Sequence, residues 1–165
     1  MKKTDIAYIA GLIDGEGYIG IKKGTIRKDC TNPSYHARIQ IRMVDEPAIK
    51  FVSDMVGGNY YKEKPNAQNG RPLYCYQASD KAAAAILETI LPYLKVKKQS
   101  AETVLQLRKL QSEGAKHRTK VTGYREFPNN CGTVRIVANK SFSDEYVAMC
   151  DELYNKCKQL NRVGV

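Results

Sequence analysis

Histidine is scarce in this chain, with only His36 and His117 among 165 residues. Neither lies in a nucleophile motif, so Ser/His/Asp and Cys/His catalysis have no support. The five cysteines (Cys30, Cys75, Cys131, Cys150 and Cys157) are odd in number, and no two have C-x-x-C spacing. That argues against a zinc site and against a disulfide scaffold, and fits a reduced intracellular setting such as cytoplasm, nucleoid or organelle matrix. No apolar run is long enough to cross a bilayer, and no secretory leader pattern opens the sequence. Acids are also short, 17 Asp plus Glu against 27 Lys plus Arg, a net charge of +10. On a folded domain that imbalance points to a polyanionic partner. There is no low-complexity segment and no internal repeat. The length fits one domain with its own core.

What is present is concentrated near the start. Thr4 is placed to cap a helix, and Ile6, Ile9 and Ile13 recur at helical spacing as an apolar face. Ala7, Gly11 and Gly15, each four residues from the last, make a second face without bulk, against which another helix backbone can approach closely. Gly15 and Gly17 permit a sharp exit. Asp14 and Glu16 then fall at the helix C-terminus, where carboxylates are disfavoured by about 0.3–1 kcal/mol each. The nearest basic residues in sequence are Lys22 and Lys23. A hard divalent cation with oxygen ligands, such as Mg²⁺, would relieve the conflict.

Residues 9–17, Ile9-Ala10-Gly11-Leu12-Ile13-Asp14-Gly15-Glu16-Gly17, resemble the nine-residue LAGLIDADG motif of homing endonucleases at six of nine positions. The resemblance implies that motif helices from two subunits pack together, here through Ala7, Ala10, Gly11 and Asp14. It implies that Glu16, with the Gly15 carbonyl as a further ligand, binds catalytic Mg²⁺ (or Mn²⁺). Tyr93-Leu94-Lys95-Val96-Lys97-Lys98 resembles the family stretch that brings a basic residue to the scissile region, a role falling to Lys97. A polar residue near the active site at the end of the second strand falls on Asp45, which is equally a candidate cap for the next helix.

The rest of the chain reads as a strand from Tyr18 to Lys28, then a clear alternation in which His36, Arg38, Gln40 and Arg42 point one way and Ala37, Ile39, Ile41 and Met43 the other. Arg and Gln are the side chains that read guanine and adenine edges by paired hydrogen bonds. Asp45-Glu46-Pro47 opens a second helix that Gly57-Gly58 stops. A hairpin follows, over 59–64 and 72–78, with Tyr74 and Tyr76 expected inward and Cys75 and Gln77 on the basic face. Lys22, Arg27, Lys62, Lys64 and Arg71 add charge to that surface. Helices over about 81–91 and up to Gln111 complete a core spanning about 5–111. A basic stretch at 112–142, with a short strand over 133–137, reads as a phosphate-touching arm or a surface loop. Ser143 starts a last helix over 143–162, with Cys150 and Cys157 on its apolar stripe.

The order helix, two strands, helix, two strands, helices implies an α+β domain with helices on one side of an antiparallel sheet. It matches the αββαββα homing endonuclease fold, in which the strands form a saddle over DNA. With one motif in the chain, the expected partner of the motif helix is a second copy, giving a two-fold homodimer on a pseudo-palindromic duplex site. The resemblance implies Mg²⁺-dependent double-strand cleavage across the minor groove with short 3′ overhangs, from a gene carried in an intron or intein. An RNA maturase and a non-cutting DNA-binding regulator share this fold and remain as alternatives, as does a basic sheet binding RNA through Tyr60, Tyr61, Tyr74 and Tyr76.

Overall fold

A computed structural model describes residues 1–26, 32–64, 70–121, 123–128, 132–138 and 141–163. Helix α1 (Lys3–Glu16) starts before Thr4, because the Asp5 carboxylate accepts the Lys2 N–H at 3.1 Å and meets the helix's free N-terminal end. It runs without a loop into β1 (Gly17–Lys23). A Cβ on Gly17 would sit 2.7 Å from the Ile13 backbone, so only glycine allows this corner. β1 ends at Lys23, earlier than the sequence pattern implies, and Arg27 lies outside the described residues.

β2 (Tyr35–Met43) returns antiparallel to β1, with Gly17 opposite Ile41 and Lys23 opposite Tyr35. Asp45 caps α2 (Glu46–Val56), its Oδ1 accepting the Ala48 N–H at 3.2 Å. β3 (Tyr60–Glu63) and β4 (Leu73–Ser79) complete a sheet ordered β1-β2-β4-β3. α3 (Asp80–Ile90), a 3₁₀ turn at Leu91–Tyr93 and α4 (Lys98–Ser112) follow. The apolar row of β2 meets α1, α3 and α4 on one side of the sheet. Ile13, Ile39, Ile41, Leu87 and Leu107 are fully buried there. This is the α+β layering expected from the pattern.

Residues 112–142 contain two strands rather than one. β5 (Tyr124–Pro128) pairs with β6 (Val134–Ala138) as a separate hairpin. The last helix, α5 (Asp144–Val163), is capped by Ser143 Oγ, which accepts the Tyr146 N–H at 3.3 Å. It packs against α4 and β1, where Asn161 Nδ2 donates to the Ile19 carbonyl at 3.0 Å. Cys150 and Cys157 are buried, and burial pushes both thiols above their usual pKa.

Candidate nucleic-acid interface and acidic centre

The sheet face away from the helices carries the polar row of β2. Register places Lys22 opposite His36, and Gln77 opposite Gln40. Four side chains at every second position span about 20 Å. Arg42 is nearest the base of α1, then Gln40, Arg38 and His36 lead outward. Several are held in place within the chain. Arg38 donates to Gln77 Oε1 at 2.5 Å, Gln40 Nε2 lies 3.1 Å from Cys75 Sγ, and Arg42 pairs with Glu63. The Arg42 guanidinium holds the Glu63 carboxyl below the usual carboxylate range.

Three sequence-based assignments change here. Cys75 does lie on this face, but it is fully buried beneath its neighbours and offers no contact surface. Lys62 pairs with Tyr74 and so projects to the opposite side, its ammonium 6.0 Å over the Tyr74 ring. Period-2 alternation decides this, whereas charge alone had suggested the basic face. Tyr61 and Glu63 take the places on the polar face, and the adjacent tyrosines Tyr60 and Tyr61 left that phase ambiguous in the sequence. Ala10 is completely buried in the chain's own core, so it is not available to a partner helix. Ala7, Gly11 and Gly15 remain exposed, as do Lys64 and Arg71 beside the hairpin. Sequence reasoning also missed Tyr18, 41% exposed and opposite Gln40 on the polar face.

At the base of α1 the charge conflict is resolved by the start of α4. The Asp14 carboxylate accepts the backbone N–H groups of Lys95 (2.6 Å), Val96 (3.1 Å) and Lys97 (2.9 Å). Asp14 is thus bound within its own chain. Partial burial works against its charge, but those N–H groups and the Lys97 ammonium outweigh it and hold its pKa below the ordinary value. Lys97 Nζ in turn donates to the carbonyls of Ile13 (3.1 Å) and Asp14 (2.5 Å), neutralising the negative end of the helix. Asp14→Ala is expected to cost about 2–4 kcal/mol, because three hydrogen bonds to a charged acceptor are lost. A folded-state pKa below the unfolded one adds stability above the ordinary carboxylate range and loses it as pH falls through the folded value. The gap in thermal stability between wild type and Asp14→Ala should therefore narrow on acidification from pH 7 to below about pH 4.

Glu16 is different. Its side chain is exposed, and among the described residues it has no hydrogen-bond or ion-pair partner. No three His, Cys, Asp or Glu side chains converge into a metal-binding group among the described residues, and the Asp45 carboxylate is engaged in capping α2. A free carboxylate beside the backbone carbonyls of a helix end is an oxygen donor set suited to a hard divalent ion, but an incomplete one.

A motif helix whose acidic end meets one edge of a four-stranded antiparallel sheet, with helices layered behind, is the fold of LAGLIDADG homing endonucleases. By sequence, the chain matches no protein-family model and no curated protein. Among solved structures it is similar to homing endonuclease I-CvuI in complex with its target in the presence of 2 mM Ca, with TM-score 0.64 and 19% identity over 95% of this chain and 82% of that one. It is also similar to the archaeal intron-encoded homing endonuclease I-Vdi141I complexed with DNA, with TM-score 0.58 and 15% identity over 93% and 98% of the two chains. The homing endonuclease I-TnaI superposes with TM-score 0.58 at 10% identity, covering 97% of each. At such identities the shared property is the fold, and it is the one expected from the nine-residue motif.

Proposed function

We propose that this protein is a site-specific, divalent-metal-dependent DNA endonuclease that acts as a homodimer through α1. The observation that carries this reading is the exposed carboxylate of Glu16, unpartnered among the described residues, at the end of the helix whose Ile13 and Asp14 carbonyls the Lys97 ammonium holds, by the inner end of the Arg42–Gln40–Arg38–His36 row. A row about 20 Å long spans about six base-pair steps of 3.4 Å, and two copies around a two-fold axis cover a long pseudo-palindromic site. In the major groove Arg suits guanine and Gln suits adenine.

Glu16 from each subunit, with the Gly15 carbonyl, would hold Mg²⁺ or Mn²⁺. When bound, such ions activate water and stabilise the leaving 3′ oxygen. Glu16 supplies negative charge that no ion pair among the described residues neutralises. Lys97 keeps an ammonium next to the scissile region, where it offsets charge developing on the phosphate. Water attacks phosphorus, the P–O3′ bond breaks, and the products are a 5′-phosphate and a 3′-hydroxyl. Asp45 stays a helix cap in this scheme, with any contact to the centre secondary.

The test is cleavage of a randomised duplex library by purified protein with Mg²⁺, against Ca²⁺ and EDTA. Discrete double-strand cuts at a pseudo-palindrome support the reading, and binding with no cutting under any metal sinks it in favour of a regulator. Lys97→Met is expected to slow single-turnover cleavage about 10²-fold, the scale for losing one charge-stabilising donor. Its DNA affinity in Ca²⁺ should stay within about threefold, since one lost phosphate contact is worth little against the rest of the row. Equal losses in affinity and rate would remove Lys97 from the chemistry.

A further inference from the structure

The outer end of the polar row holds a polar cluster that cleavage chemistry does not need. Asp80, the first residue of α3, has φ of +49°, the only non-glycine residue with positive φ among the described residues. L-residues seldom adopt that region, and Asp and Asn tolerate it best. The carboxylate lies between β2 and α4. Oδ2 lies 3.0 Å from His36 Nδ1. Oδ1 is enclosed, accepts no hydrogen bond from the described residues, and faces Arg108 Nη1 at 3.6 Å. Arg108 donates to Gln111 Oε1 at 2.5 Å, and Gln111 Nε2 donates to the Tyr35 carbonyl at 2.7 Å. The contacts thus close a circuit from His36 through Asp80, Arg108 and Gln111 back to the residue before His36. It ties β2 to α3 and α4, and leaves the His36 side chain 46% exposed on the polar face.

A carboxylate only accepts, so Nδ1 of His36 carries the proton. In the neutral ring Nε2 is then an acceptor. In the major groove the base-edge donors are adenine N6 and cytosine N4, whereas guanine presents only acceptors there and thymine an acceptor and a methyl. We infer that Asp80 is a specificity-positioning residue. It locks the His36 tautomer so that this ring selects adenine or cytosine at the outermost position of each half-site that the row contacts. The role assigned to Asp80 deepens the reading of this face as a DNA surface and rests on it.

The experiment is selection from a randomised duplex library by the full chain in Ca²⁺, with ¹⁵N spectra of the His36 ring recorded alongside. The wild type is expected to favour adenine or cytosine over guanine and thymine about tenfold at one symmetric pair of positions, the size of one good base contact. Asp80→Gly keeps the backbone conformation and removes the carboxylate. It should flatten that preference to under about threefold while the positions facing Arg38, Gln40 and Arg42 keep theirs. His36→Ala should match it, and the double variant should add nothing. The ring should show Nδ1–H in the wild type and a tautomer mixture in Asp80→Gly. If Asp80→Gly does not fold, Asp80→Asn keeps the left-handed preference, offers the ring a donor as well as an acceptor, and should flatten the same position. An unchanged preference, or an equal loss at every position, overturns the specificity role alone. Absence of any sequence selection by the wild type overturns the DNA reading together with it.

Discussion

Glu16→Gln is expected to bind the same DNA as the wild type and leave it intact, with single-turnover cleavage at least about 10³-fold slower. On the proposed metal centre, the magnitude follows from losing an anionic ligand in each subunit, since metal-borne charge stabilisation is worth several kcal/mol. Stability should move the other way. The carboxylate is exposed, unpartnered among the described residues, and placed at a helix C-terminus. Removing its charge should leave the melting temperature unchanged or raise stability by up to about 1 kcal/mol. A residue whose neutralisation helps the fold and abolishes the reaction is there for the reaction. The measurements are cleavage in Mg²⁺, gel-shift affinity in Ca²⁺, and a thermal melt. Cleavage within tenfold of wild type would remove Glu16 from the centre.

Gly11→Leu should separate folding from assembly just as sharply. A Cβ at Gly11 meets no atom within 4 Å in the protomer. Leu is also the better helix former by about 0.5–0.8 kcal/mol. The isolated subunit should thus be at least as stable as before. Two motif helices packed through Ala7, Gly11 and Gly15 have no room for that side chain, because their approach depends on missing bulk. The variant is expected to sediment as a monomer at concentrations where the wild type is a dimer. It should nick or cut its site at least about 10²-fold more slowly, since each Glu16 then lacks its partner and the loss exceeds about 2.7 kcal/mol. A dimer that persists in Gly11→Leu would place the two-fold interface elsewhere on the protein.

Much of this was legible in the residues. Alternation along β2 is strict because one face packs on the helical layer and the other does not, and a pattern with period two has only two phases. Asp45 announced itself as a cap through the Pro47 that follows. The stretch at 9–17 resembles the motif of the homing endonuclease family at six of nine positions, and that resemblance implied the fold. Other features were illegible for equally physical reasons. Lys62 turned out to face away from the polar row because charge does not set the phase of a four-residue edge strand. Ala10 looked like its small neighbours in the motif, but helical rotation turns it inward and Gly11 outward. The β5 strand carries no clean alternation, and its partner alone was visible.

By itself the sequence determined the layer architecture, the polar row of β2 and the acid at the end of the motif helix. These follow from local periodicity and from short-range capping, which depend only on neighbours along the chain. Only the tertiary structure decided what surrounds the charges. Lys97 reaches the Ile13 and Asp14 carbonyls across more than eighty residues of chain, and Asp14 gathers three N–H groups from the same distant turn. Asp80 meets His36 because a left-handed turn brings α3 beside β2. Electrostatic partnerships of this kind depend on distance in space, and no period in the sequence encodes it.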